Sequence, residues 1–91
     1  MLLTDIPRRA PGVAGRTVDD EAVLIHPQQG KVRVLNSVGA RLWELADGER
    51  TISEMAAVIA GEYAVSPTRA ESDALKFCTE LIERGLLTFE G

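Results

Sequence analysis

The spacing of apolar residues changes period once near the middle of the chain, at Asn36. From Lys31 to Leu35 the run Lys-Val-Arg-Val-Leu alternates with period two, as a strand does, and from Ser37 to Ala46 apolar residues return every three or four positions, as on a helix. Asn36 and Ser37 stand at the seam as N-cap candidates. Within the strand, Val32 and Val34 share one face and Lys31, Arg33 and Leu35 the other, because successive side chains point to opposite sides. The valine face is expected to lie on the helices, with Leu35 curling in ahead of the helix as a hydrophobic staple.

Three helices follow from the same kind of pattern. The first covers about Ser37 to Ala46, with Val38, Leu42, Leu45 and Ala46 as its apolar stripe, Trp43 at the flank and Asp47-Gly48 closing it. Thr51-Ile52-Ser53-Glu54 has the spacing of a capping box and opens a second helix that runs to about Tyr63, carrying Ile52, Met55, Ala56, Ile59, Ala60 and Tyr63 on one face. Gly61 inside it lowers helix propensity by roughly 1 kcal/mol relative to alanine, so its last turn is expected to fray. Ser66-Pro67 is an N-cap followed by proline at the first helical position, opening a third helix that ends near Arg84 at Gly85. Its stripe is Ala70, Ala74, Phe77, Cys78, Leu81 and Ile82, widened by Leu75, and the tail Leu86, Leu87 and Phe89 folds back or adds a strand.

Upstream of Lys31 the pattern predicts a meander. Ala22 to His26 reads as a strand through Val23, Leu24 and Ile25, and Pro27 to Gly30 as the hairpin loop, with the proline presetting φ. A short strand over Arg16 to Asp19 precedes it, closed by the Asp19-Asp20-Glu21 turn. Met1 to Gly15, punctuated by Pro7, Pro11, Gly12 and Gly15, reads as an extended arm whose Leu2, Leu3 and Ile6 form a short strand, dock on another copy or fray. The fold class is therefore α+β: a winged helix-turn-helix with an N-terminal three-stranded antiparallel sheet followed by three helices, in one domain over residues 1–91.

Composition narrows what such a domain does. The apolar fraction of 45% and charged fraction of 26% fit a folded globular chain of 91 residues. No apolar run approaches the roughly 20 residues that span a bilayer, and Met1 to Pro11 lacks the basic start and apolar core of a secretion signal, so a cytoplasmic protein without membrane contact is expected. Cys78 is the one cysteine and His26 the one histidine, too few soft ligands for structural zinc, and no glycine-rich phosphate loop occurs. Neither a catalytic nor a cofactor site is expected. The carboxylates fall in turns and on polar helix faces, Asp19 to Glu21 read as a solvated turn, His26 has no nucleophile to partner, and Cys78 sits on an apolar stripe as an inert thiol.

A net charge of −4 argues against nucleic acid, since phosphate neutralisation supplies most of that affinity. The third helix sets Arg69, Lys76 and Arg84 against Glu71, Asp73, Glu80 and Glu83, and the second offers Glu54 and Glu62 with no basic residue. A winged-helix DNA-binding regulator survives as the alternative only through a dimer using the basic arm at Arg8 and Arg9. An uncovered strand edge at Lys31 to Leu35 is the remaining feature. Its Lys31 and Arg33 serve either to blunt the edge against aggregation or to attract an acidic peptide, and composition leaves both open.

The ordered set of motifs adds to this. Val34-Leu35-Asn36-Ser37 entering the first helix, Asp47-Gly48 closing it, Thr51-Ile52-Ser53-Glu54-Met55 capping the second, Tyr63, and Phe77 to Leu87 ending in Leu81-Ile82-Glu83-Arg84-Gly85-Leu86-Leu87 resemble the PqqD family, with Pro11 to Val13 and the Ala22 to His26 strand in matching places. The resemblance implies a RiPP recognition element. Such a protein is non-catalytic, binds the leader of a ribosomally made precursor peptide and presents it to a modifying enzyme: a radical SAM maturase as in pyrroloquinoline quinone biosynthesis, or a lasso-peptide leader peptidase. It further implies that the leader adds antiparallel to the strand Lys31, Val32, Arg33, Val34 and Leu35, facing helix-three residues drawn from Arg69, Asp73, Lys76, Phe77 and Glu80. The family's oligomeric range implies a monomer or a homodimer formed by exchange of N-terminal segments.

Overall fold

The computed structural model describes residues 1–26 and 28–90; the proline expected to preset the hairpin loop, Pro27, lies outside the described residues. The elements in chain order are β1 (Ile6–Arg9), β2 (Ala14–Val18), β3 (Glu21–His26), β4 (Lys31–Leu35), α1 (Ser37–Leu45), α2 (Ile52–Tyr63), α3 (Pro67–Glu83) and β5 (Leu87–Glu90). They form a three-stranded antiparallel sheet in the order β2-β3-β4, a separate two-stranded sheet of β1 with β5, and three helices.

The helix boundaries follow their caps. Asn36 accepts from the Gly39 amide at 2.9 Å, Thr51 and Glu54 form a reciprocal capping box, and Ser66 accepts from the Arg69 amide at 3.2 Å ahead of Pro67. Helix α2 runs through Gly61 without interruption to Tyr63, where Ala64 takes a left-handed conformation and ends it. The core joins one face of each helix to β3: Leu24, Ile52, Met55, Cys78, Leu81 and Leu87 are almost wholly buried. Burial pushes the Cys78 thiol up to about 12, so it is protonated and inert at neutral pH.

Two expectations are corrected. The arm is not simply extended, because Ile6–Arg9 pairs antiparallel with Leu87–Glu90, Pro7 opposite Phe89 and Arg9 opposite Leu87. A proline is tolerated in such a short strand, where its missing donor leaves no ladder partner short. On its other side the arm is fastened to the start of α2 and the loop before it. The Gly48 amide donates to Pro7, Ile52 to Asp5 and Ser53 to Leu3, at 2.9 to 3.1 Å.

The valine face is also reversed. Val32 and Val34 are each 61% exposed, whereas Leu35 is 4% exposed and Arg33 is half-buried on the helix side. Period two fixes which residues share a face, but pairing decides which face is inside. Ala22 and Leu24 of β3 are buried, and they sit opposite Leu35 and Arg33. Arg33 tolerates the inner side because its aliphatic stem covers apolar surface while its guanidinium reaches outward to a carboxylate.

Candidate peptide-binding groove

Among the described residues, β4 has β3 on one side and no strand on the other. Helix α3 stands across that edge. Arg33 Nη2 lies 2.5 Å from Glu80 Oε1, tying β4 to the last turn of α3. Towards Leu35, the side chain of Phe77 approaches the start of α1 at Gly39, where an added Cβ would stand 3.4 Å from Phe77 and 3.3 Å from the Leu35 Cβ. Glycine lets the first turn of α1 sit this close to both. Towards Lys31, a cavity of about 580 Å³ is lined by the hairpin residues His26 and Gln29, by Lys31 to Arg33, and by residues 82–86. Helix α3 therefore runs antiparallel to β4, with the groove open at the hairpin end and Phe77 packed near Leu35 and Gly39 at the other.

Local sequence explains the wide lower end. Gly85 takes φ of +73°, the left-handed region that glycine enters freely, and its amide donates to Ile82 at 3.0 Å while the Leu86 amide donates to Leu81 at 2.8 Å. The chain turns away from α3 there, next to His26, and opens the cavity.

Of the residues singled out from sequence, β4 forms one wall of this groove, and Phe77 and Glu80 on α3 face that strand or its continuation into α1. Arg69, Asp73 and Lys76 are exposed on the first two-thirds of α3, where Arg69 and Asp73 pair at 3.6 Å and all three border a shallow depression with Ser66, Thr68 and Ser72. No hydrogen bond or ion pair joins those three to β4 among the described residues. Sequence reasoning missed His26, Gln29 and residues 82–86. Arg84-Gly85, read only as a helix stop, was the available signal, since a chain reversal beside a hairpin leaves a hollow. Among the described residues no group of three His, Cys, Asp or Glu is placed to hold a metal ion.

A family model described as Coenzyme PQQ synthesis protein D (PqqD) matches residues 21–87, from the start of β3 to the start of β5. The chain belongs to the PqqD family. Three solved structures share its architecture over more than nine-tenths of the chain. TbiB1 in complex with the TbiA(beta) leader peptide is 32% identical with a TM-score of 0.80, covering 92% of this chain and 95% of that one. A lasso peptide synthetase B1 complexed with its leader peptide is 25% identical with a TM-score of 0.81, covering 91% and 98%. The PqqD truncation of Methylobacterium extorquens PqqCD, a functional stand-alone RiPP recognition element, is 26% identical with a TM-score of 0.80, covering 96% and 93%. No sequence among curated proteins matches.

Proposed function

We propose that this PqqD-family chain is a RiPP recognition element that binds the leader of a ribosomally made precursor peptide by adding it as an antiparallel strand to β4. The free edge of β4 facing α3 across an open groove carries the proposal, and two relatives solved with leader peptides support it. The unpaired main-chain groups of Lys31 to Leu35 supply affinity and register, while pockets for alternate side chains supply selectivity. Phe77 and Glu80 line the site from α3, and Arg69, Asp73 and Lys76 meet whatever part of the leader continues past α1.

The chain carries out no chemistry itself under this reading. It orders a disordered leader, and the entropy of that ordering keeps affinity moderate so that the peptide is released after modification. The modifying enzyme is a radical SAM maturase or a leader peptidase, the work is done in the cytoplasm, and the helices with the sheet set first constitute a winged helix-turn-helix. No helix is long and apolar enough to cross a membrane among the described residues. Pairing of β1 with β5 within one chain favours a monomer, and a dimer would arise by exchange of β1 between copies.

The test is a titration of isotope-labelled protein with the leader of a short precursor encoded beside its gene, following backbone amides. Shifts concentrated in Lys31 to Leu35 and Phe77 to Leu86 are expected. Shifts confined to α3 with a promoter fragment, and none with leader, would replace leader binding by DNA binding.

A further inference from the structure

The contact that bridges the groove is itself the clue to what the groove takes. Glu80 Oε1 receives two guanidiniums, Arg33 from β4 and Arg84 at 3.3 Å from the end of α3. One carboxylate oxygen does not saturate them. Arg33 Nε is buried and makes no hydrogen bond, and neither does His26 Nδ1 on the same cavity wall. A guanidinium presents its donors as a planar fork suited to a two-oxygen acceptor, and a buried donor without an acceptor is costly. Lys31, which forms no ion pair among the described residues, adds a third cation beside Arg33 and Arg84, against the carboxylates of Glu80 and Glu83. A chain of net charge −4 has thus gathered positive charge at one end of its open strand edge.

We infer that this end of the groove is a subsite for an aspartate or glutamate side chain of the bound leader, and that Glu80 holds Arg33 in place until the leader carboxylate takes over. The inference rests on the strand-addition reading above. It also fixes a register. In an antiparallel pair, residues directly opposite share a face with Cβ atoms roughly 5 Å apart, so the leader residue opposite Arg33 is the acidic one. The residue two before it lies opposite Leu35, near Phe77, and is apolar. The residue two after it lies opposite Lys31 and is polar or acidic. Side chains in between point the other way, over Val32 and Val34. The expected leader pattern is apolar, any, acidic, any, polar. On binding, Glu80 keeps Arg84 and gives up Arg33, so the protein begins with its own carboxylate in the place of the ligand's.

A displayed library of random twelve-residue peptides, selected on the wild-type protein, tests this without knowledge of the natural leader. Selected peptides are expected to share the pattern and to shift the β4 amides. Replacing the acidic residue of a selected peptide by its amide should weaken binding to wild type about tenfold, in line with the loss of a charged hydrogen bond, and change binding to Arg33→Gln little. Glu80→Gln, which removes the competing carboxylate, should tighten the acidic peptide by up to about fivefold, the scale of a partly exposed ion pair. Peptides that shift β4 but share no acidic position, or a Glu80→Gln protein that binds them no better than wild type, overturn the subsite and leave strand addition standing. Failure of the library to yield any peptide that shifts β4 overturns strand addition, and the subsite with it.

Discussion

The two sheets of this protein are made of similar short strands and treated oppositely. The β1–β5 pair is sealed along β1: Pro7 and, on β5, Leu87 are buried, the Arg9 amide donates to Ala46 at 3.2 Å, and the Gly48 amide donates to Pro7 at 3.1 Å. Arg9 also sends Nη1 to the carbonyls of Trp43 and Glu44 at 3.1 and 3.0 Å, adding a charged donor at the end of α1, where carbonyls run short of intrahelical partners. Among the described residues the β2–β3–β4 sheet has no strand beyond β2 or β4, and its outer face leaves Ile25, Val32 and Val34 substantially exposed. Burial and hydrogen bonding of the first sheet hold the chain ends to the helices. The second sheet leaves main-chain groups unused beside a groove, and that is where a peptide can be added.

The contrast breaks most decisively at Leu87. Truncation to alanine in the sealed sheet should cost about 2–5 kcal/mol, because the neighbouring core collapses only partly into the space. In a domain of this size each kcal/mol lowers the melting temperature by about 4–8 °C, which calorimetry resolves easily. A loss no larger than that of an outer-face substitution would mean that β5 is peripheral. Arg9→Ala comes next. It strips two carbonyls at the end of α1 of their charged donor and should cost about 1–2 kcal/mol in chemical denaturation, with Arg9→Lys recovering part of it.

Thr51→Ala should cost about 1 kcal/mol by removing the cap of α2, on whose first residues the arm hangs through the Ile52 and Ser53 amides. The same box predicts a pH dependence. Glu54 is held below the ordinary carboxylate range by the Thr51 backbone amide first and the Thr51 hydroxyl second, and Asp47 by the backbone amides of Glu49 and Arg50. Their folded-state values lie below the unfolded ones, so the stabilisation is present above the unfolded value and lost as pH falls through the folded one. Midpoints measured across the acid range should fall less steeply in Glu54→Gln than in wild type.

How much of this was legible in the sequence depended on how local the determinant was. Caps at Asn36, Thr51 and Ser66 and the stripes behind them are written within a few residues of each helix start, and the helices formed where those residues said. The β3–β4 hairpin was equally local. Pairing of Ile6–Arg9 with Leu87–Glu90 joins the two ends of the chain, and nothing in either run names the other. The valine face failed for a different reason. Alternation is symmetric between faces, and only the pairing of Arg33 with Leu24 and of Leu35 with Ala22 breaks the symmetry. For the groove, its edge strand was legible from Lys31 to Leu35, while its lower end arises where a hairpin and a helix terminus meet in space, which no contiguous motif records.

The smallest expected effect sharpens the comparison most, because it separates the two faces of a single strand. Val32→Thr and Val34→Thr preserve β-branching and place a hydroxyl where each side chain is already 61% exposed, so each should change stability by less than about 0.5 kcal/mol. Leu35→Ala, on the opposite face of the same strand, should cost about 2–5 kcal/mol. Binding offers a second separation. Strand addition uses the main chain of β4, which these threonines do not alter, so a peptide that shifts the β4 amides should bind the Val32→Thr, Val34→Thr double variant within about twofold of wild type, a change well under 1 kcal/mol. A large loss in the double variant, with stability unchanged, would mean that the outer valines touch the bound peptide and that selectivity is read on both sides of the sheet.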